Sequence, residues 1–333
     1  MFIIAEIAQA HDGSLGILHS YIDALADTGV DAIKFQTHIA DAESSLFEPF
    51  RVPFSYVDKT RYEYWKRMEF TAEQWAGIQQ HCQDRQVEFI SSPFSCAAVE
   101  LLENLGVKRY KIGSGEVTNY LMLHRIAQTG KPVILSSGMS HLEELDETIN
   151  FLKARDVDLS LLQCTTAYPT LPAQWGLAAI PFFKNRYNIT VGYSDHSATP
   201  EACIAATALG AEILEFHAVF DRRMFGPDAK ASLEIDEIRK LVKAVKAVKE
   251  AVAANFMKQE NKQVQELKTM FGKTLAVNKN LPAGHLLQLH DLESKKPAGK
   301  GIAAREFEQV LGKALRTPLS QWDFLTKEAL EDL

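Results

Sequence analysis

Eight short apolar runs, each followed by a helical pattern, constrain this chain more than anything else in its sequence. The runs occupy 2–7, 32–36, 88–92, 109–113, 132–136, 159–164, 189–193 and 213–219. Amphipathic or Ala-rich stretches such as 18–27, 72–85, 97–105, 142–153 and 200–209 lie between them. Strands that alternate with helices pair in parallel, because each helix carries the chain back along the sheet. Eight repeats therefore predict an α/β fold of the (β/α)8 TIM barrel type. The last helix is the clearest: Ile235, Ile238, Leu241, Val242, Val245, Val248 and Val252 recur at three- and four-residue steps with Lys and Glu between them. The barrel is predicted to close near Ala254, giving a first domain over 1–254.

The chain has 333 residues, more than the roughly 250 that such a barrel uses. Residues 255–273, rich in Lys, Gln and Glu, read as a charged helix or linker. Residues 274–333 lose the strand–helix rhythm and carry turn signals at Pro282-Ala-Gly284 and Pro297-Ala-Gly299, which predicts a second, small domain. A piece that short holds only a small core, so docking against something larger is expected. Within the barrel, the stretch 37–70 is long for a loop and carries Phe47, Phe50, Phe54, Tyr56, Tyr62, Tyr64 and Trp65. It leaves the C-terminal end of a strand, and loops of that length are usually functional. It is predicted to be a lid.

Composition narrows the partners. With 36 basic against 43 acidic residues the net charge is −7, which leaves no basic footprint for nucleic acid. No apolar run reaches the ~18 residues needed to cross a bilayer, so no membrane partner is expected. Cys82, Cys96, Cys164 and Cys203 show no zinc spacing and read as reduced thiols, consistent with a cytoplasmic protein.

In a parallel barrel, chemistry sits at the C-terminal strand ends. Here every end is polar: Glu6; Lys34 and Gln36; Ser91 and Ser92; Lys111, Ser114 and Glu116; Ser136 and Ser137; Gln163, Thr165, Thr166 and Tyr168; Tyr193, Asp195 and His196; Glu215 and His217. Lys34 and Gln36 share parity and so face one side, as do Glu215 and His217, while Phe35 and Phe216 face the helices. Interior lysines are costly unless an anion meets them; pairing with Glu6 or Glu215 is the alternative. His196 and His217 end neighbouring strands, and two imidazoles with open positions suit a divalent transition ion such as Mn²⁺, Fe²⁺, Co²⁺ or Zn²⁺. Asp195 and Glu215 are near enough to assist, and His11 on the first loop is a further candidate. Hydrogen-bonded core histidines are the plainer account. Lys111-Ile-Gly-Ser-Gly-Glu116 lets backbone N–H groups approach an anion, and Asp228 in the loop after the eighth strand is a candidate hydroxyl acceptor.

In order along the chain stand Ala5-Glu-Ile7, Ile33-Lys-Phe-Gln36, Ser92-Pro-Phe94, Lys111-Ile-Gly-Ser-Gly-Glu116, Ser137-Gly-Met139, Cys164-Thr-Thr-Ala-Tyr-Pro169, Gly192-Tyr-Ser-Asp-His196, Glu215-Phe-His217 and Gly226-Pro-Asp228. In these motifs the chain resembles the sialic acid synthases, the N-acetylneuraminate synthase family that includes legionaminate and pseudaminate synthases and a spore-coat polysaccharide protein. Lys296-Pro-Ala-Gly-Lys-Gly-Ile302 and Val310-Leu-Gly-Lys313 resemble that family's antifreeze-like (SAF) domain.

The resemblance implies condensation of phosphoenolpyruvate with an N-acylated amino-sugar aldehyde. Lys34 and Lys111, with Ser92, Ser114, Ser136 and Gln36, are implied to hold the phosphate and carboxylate. His196 and His217 are implied to bind a divalent ion, Mn²⁺ foremost, with Mg²⁺ or Co²⁺ as alternatives. Glu116 is implied to handle the proton of the attacking water. Glu6, Tyr168 and Asp228 are implied to orient sugar hydroxyls, and Thr166 to join the substrate-binding set. A homodimer with exchanged SAF domains is also implied. The chain departs from the family at Lys296, where an arginine usually meets the acyl group, and at Ala10, Asp12, Phe216 and Ala229. Phe216 is turned away by parity; the mouth-loop changes point to a different sugar. Two other readings stand beside this one: an aldolase forming a Schiff base on Lys34 or Lys111, and a barrel that binds sugar without catalysis.

Overall fold

All eight apolar runs form strands in a computed structural model that describes residues 1–254 and 261–331. They are β1 (Phe2–Glu6), β2 (Ala32–Thr37), β3 (Glu88–Pro93) and β4 (Tyr110–Ile112), then β5 (Val133–Ser136), β6 (Leu159–Cys164), β7 (Thr190–Asp195) and β8 (Ile213–Val219). The ladders run β3-β2-β1-β8-β7-β6-β5-β4, all parallel. β3 and β4 lie side by side and close the ring without a regular ladder among the described residues. The Arg109 guanidinium and the Glu88 carboxylate, 2.7 Å apart, tie their N-terminal ends. A two-residue strand, β9 (Leu233–Glu234), pairs with β8 and is too short to leave a period in the sequence.

Helices α1 (Leu15–Ala26), α2 (Ala40–Glu43), α3 (Arg61–Met68), α4 (Ala72–Asp84), α5 (Cys96–Leu105) and α6 (Tyr120–Gln128) alternate with the first strands or sit in the long loop. Helices α7 (Leu142–Lys153), α8 (Ala179–Tyr187), α9 (Glu201–Ala208) and α10 (Ile235–Ala253) complete the ring. Parity sorts the strand side chains into two layers. Phe35 and Phe216 join the layer between sheet and helices, where Phe35 meets Trp75 and Phe89. Ile4, Ala32, Ile90, Ile134, Leu162 and Ile213 fill the barrel's interior. Each buried Ile or Leu of that plug contributes about 1.5–3 kcal/mol, and the same parity carried two residues further places polar groups directly above it. β7 meets the plug with Gly192, where a Cβ would come within 2.3 Å of the Ile213 carbonyl oxygen.

The stretch 37–70 is partly ordered into α2 and α3. Thr60 starts α3 with a reciprocal cap to Glu63. Ala40, Tyr64, Trp65 and Met68, with Phe50 and Phe54 against them, give the segment a small core of its own. Arg67 pins it down through Asp58 (2.7 Å) and Asp12 (2.6 Å), and Phe54 reaches Phe225, 5.5 Å away, beyond β8.

The contacts divide the chain into Met1–Ala254 and Asn255–Leu333. Of the stretch read as a linker, 255–260 lies outside the described residues, as do 332–333 at the chain's end; α11 (Lys262–Phe271) occupies most of the remainder. The second unit pairs β10 (Thr274–Val277) with β11 (Leu292–Lys295) antiparallel, around Leu275, Val277, Leu287, Leu315 and Leu325. There the buried Asp291 carboxylate accepts from Lys279 and His285, each at 2.7 Å, and from the Gln288 amide at 2.9 Å. No helix among the described residues is long and apolar enough to cross a membrane.

Candidate active site

The polar layer above the plug lines a cavity of about 430 Å³ at the C-terminal strand ends. β1 supplies Glu6, β2 Lys34 and Gln36, β3 Ser92, and β4 and its turn Lys111, Ser114 and Glu116. β5 supplies Ser136, β6 and its loop Cys164, Thr166 and Tyr168, β7 Ser194 and His196, β8 Glu215 and His217, and the following loop Asp228. The barrel residues that the family resemblance singled out thus line one cavity, whereas His11 and Asp195 do not. Lys296 belongs to the second unit, where its ammonium lies 4.9 Å over the Phe271 ring.

Four charged groups, none more than 4 % exposed, form the floor. Lys34 Nζ lies 2.6 Å from Glu6 Oε1, 3.7 Å from Glu215 Oε1 and 3.5 Å from Ser92 Oγ. Lys111 Nζ lies 3.1 Å from Glu215 Oε1 and donates to Ser136 Oγ at 2.8 Å. The lysines therefore do not depend on an outside anion, because the internal pairing is present and the charges cancel. Burial by itself would raise the Glu6 carboxyl, yet Lys34, His217 and Lys111 hold it well below the usual range. Burial likewise opposes the Lys34 ammonium, and Glu215 and Glu6 overcome this and hold it above its ordinary value. Glu215 Oε2 is buried with no partner among the described residues, an acceptor left open to whatever enters.

The histidines stand beside this cluster. Their rings are 5.1 Å apart, and Tyr168 packs on both, at 4.3 Å from His196 and 6.2 Å from His217. His196 Nδ1 donates to the Thr165 carbonyl at 3.0 Å, which in the neutral ring leaves Nε2 as the nitrogen with a lone pair for a ligand. His217 Nε2 lies 3.2 Å from Glu6 Oε2. Among the described residues no three His, Cys, Asp or Glu side chains converge as a ready-made cation site. Two imidazoles, one with a fixed tautomer, nonetheless fit a divalent ion that takes its other donors from substrate and solvent.

Glu116 accepts from Asn119 Nδ2 at 2.7 Å, and burial pushes its carboxyl up against that bond. Across the cavity, Gly138 N donates to Ser114 Oγ at 3.0 Å. A Cβ at Gly138 would sit 2.5 Å from Thr166 Oγ1 and 2.6 Å from Ser114 Oγ, so only glycine leaves both hydroxyls in place.

Other expectations need correction. His11 does not reach the cavity: its ring packs 5.0 Å from Phe70, Nδ1 accepts from Gly13 N, and burial pushes it down to about 3. Asp195 alternates with the inward-facing Ser194 and His196 and so points outward, to Ser197 (2.8 Å) and Tyr193 (3.4 Å), with burial raising it to about 6. Ala10, Asp12 and Ala229 are not in the cavity wall either; Asp12 is spent on Arg67. Conversely, the long loop sends in Trp65, one of the aromatics noted in the sequence, together with residues that the sequence reading passed over: His38, Glu43, Glu48, Arg51 and Arg61. His38 shares the parity of Lys34 and Gln36, a signal that was there to be used. It bridges Glu43 (2.6 Å) and Gln36 Oε1 (3.1 Å) between the Trp65 and Phe94 rings, while Gln36 Nε2 donates to Glu6 at 2.7 Å.

Residues 21–256 match the NeuB family. The chain belongs to the NeuB family. Residues 272–331 of this NeuB-family chain match the SAF domain. An N,N'-diacetyllegionaminic acid synthase from Campylobacter jejuni is 34% identical over 93% of the chain and 94% of its own length. An N-acetylneuraminate-9-phosphate synthase from Mus musculus is 31% identical over 99% and 92%. The crystal structure of an N-acetylneuraminic acid (sialic acid) synthetase from Leptospira borgpetersenii superposes with a TM-score of 0.70 at 29% identity, covering 80% of this chain and 90% of that one. With relatives named as synthases along nearly its whole length, this NeuB-family protein is an enzyme of the synthase kind, built as a (β/α)8 barrel with a C-terminal SAF domain.

Proposed function

We propose that this NeuB-family enzyme condenses phosphoenolpyruvate with the aldehyde form of an N-acyl amino sugar, N-acetylmannosamine or a 2,4-diacetamido relative. The products are a nonulosonic acid and phosphate. The observation that carries the reading is one cavity with two buried ammonium groups at one end and two facing imidazoles at the other. The ammonium end suits a phosphate and a carboxylate, with Ser92, Ser114, Ser136 and Gln36 as further donors. The imidazole end suits the acceptor's carbonyl. His196 and His217 would hold a divalent ion, which when bound supplies a Lewis acid for that oxygen.

The chain's own groups do the rest. Lys34 and Lys111 neutralise charge on the departing phosphate as its C–O bond breaks. The enol carbon forms the new C–C bond to the aldehyde carbon, water adds at the phosphate-bearing carbon, and Glu116 takes the proton of that water. Glu6, Tyr168, Thr166 and Asp228 orient the sugar. A Schiff base on Lys34 is disfavoured, since it needs a free amine and Glu215 and Glu6 hold that group protonated. A cytoplasmic setting suits the four unpaired thiols. Assembly as a homodimer with exchanged SAF domains rests on the family resemblance.

The test is phosphate release. It is expected only with phosphoenolpyruvate and an N-acylated sugar together, to stop on chelation and to return with Mn²⁺, while borohydride with pyruvate traps nothing. No release with any acceptor sugar refutes the reading.

A further inference from the structure

The acceptor end of the cavity contains an arginine that no expectation assigned. Arg51, between α2 and α3, stacks its guanidinium 4.1 Å over the Tyr168 ring, whose contacts with the histidine rings place it at the imidazole end. Arg51 Nη2 donates to Asp228 Oδ1 at 2.6 Å and reaches the Pro227 carbonyl at 3.5 Å. Its Nε and Nη1 have no partner among the described residues, and the side chain is 40% exposed. A guanidinium is a planar fork of five N–H donors, so a free edge of that fork remains available to a ligand.

The charges around it bear on what that ligand is. Arg51 is matched by Asp228 and Arg61 by Glu48 at 3.5 Å, while His38 leans on Glu43. Glu116 adds a further acid. No cation in this outer part is left without a carboxylate. Asp228, Glu48, Glu43 and Glu116 thus put four carboxylates against two guanidiniums here, so a phosphate dianion would add to an excess of negative charge, unlike at the floor, where two ammonium groups face two carboxylates. An uncharged amide carbonyl or hydroxyl meets no such cost. It takes the free N–H groups of a guanidinium whose charge is already balanced, while the second oxygen of Asp228 accepts a sugar hydroxyl.

Resting on the reaction proposed above, we infer that Arg51, braced by Asp228 and Tyr168, selects an uncharged N-acyl amino sugar over its phosphate monoester. The names of the relatives do not decide this, since one carries a phosphate in its product's name and another does not.

The test uses the full-length enzyme with saturating phosphoenolpyruvate and Mn²⁺. Phosphate release is compared for N-acetylmannosamine, its 6-phosphate and a 2,4-diacetamido hexose. An uncharged sugar is expected to exceed the 6-phosphate at least tenfold in kcat/KM. Arg51→Ala is expected to raise the acceptor KM at least tenfold while kcat and the phosphoenolpyruvate KM stay within about threefold, and Arg51→Lys, lacking the fork, to recover little. An unchanged thermal midpoint in both variants confirms that the fold is intact, as a surface-reaching side chain allows. Equal or better turnover of the 6-phosphate overturns the inference, and so does an acceptor KM that Arg51→Ala leaves alone. Neither result touches the condensation itself. The absence of release with any of the acceptor sugars would remove that reading, and this inference with it.

Discussion

Replacing Lys111 with Met separates two reasons for a lysine to lie inside a barrel. The side chain is 2% exposed, and its ammonium sits 3.1 Å from Glu215 and 2.8 Å from Ser136. Methionine keeps most of the volume and removes the charge. Glu215 then retains Lys34 at 3.7 Å and the Ser194 hydroxyl at 3.1 Å, with its second oxygen already unpartnered. Leaving a buried carboxylate so poorly matched costs about 3–5 kcal/mol, which for a domain of this size lowers the melting temperature by on the order of 10 °C. Adding Glu215→Gln removes the stranded charge as well, and a neutral pair of that shape is often no less stable than the ions it replaces. The double variant is therefore expected to regain most of the lost stability in calorimetry. Its phosphate release should stay depressed by about 10²–10³, the scale of losing one charged contact to the transition state. Recovery of activity along with stability would refute the assignment of Lys111 to the substrate's phosphate. A single variant as stable as the parent would refute the account of the buried pairing.

Glu116→Gln is expected to slow release by about 10²–10⁴ while altering the acceptor KM little. Because burial raises this carboxyl, the acid limb of the parent's rate profile should lie above the usual carboxylate range and vanish in the variant. In the second unit, Asp291→Asn removes the negative charge and one of the two acceptor oxygens that serve Lys279 and His285, and should cost about 2–4 kcal/mol in unfolding experiments. The Asp291 carboxyl is held below its ordinary value despite its burial, so its contribution is present above the unfolded carboxylate's range and disappears as the pH falls. The gap between parent and variant should accordingly narrow in acid.

The barrel was legible because its strands are apolar on both faces and its helices on one, two periods that composition cannot disguise. The floor of the site was legible for a related reason. Once Ile4, Ile134 and Ile213 face inward, Glu6, Ser136 and Glu215 must follow two residues on. Asp195 went astray when nearness in sequence was put ahead of that alternation, and His11 because its loop turns the ring toward Phe70. Arg51, Arg61 and Glu48 were illegible for a different reason: Glu48 and Arg51 enter from an irregular segment and Arg61 from the first turn of the short α3, and their path is set by packing of Tyr64, Trp65 and Phe54, which leaves no period to read. The role of Lys34 and Lys111 was only half visible, since a sequence shows that a charge is buried and not which neighbour balances it.

A ring of strands resists widening in the way a hoop does, through tension carried around its circumference, and here that tension is interrupted at one joint. Between β3 and β4 no regular ladder carries it among the described residues, and packing and the Arg109–Glu88 pair hold those strands together instead. Ser92 and Lys111 stand on opposite banks of that joint. Glu215, from the far wall, reaches Lys34 on one bank and Lys111 on the other. It acts as a tie rod across the opening, so the two ammonium groups that an incoming anion would meet share one carboxylate oxygen.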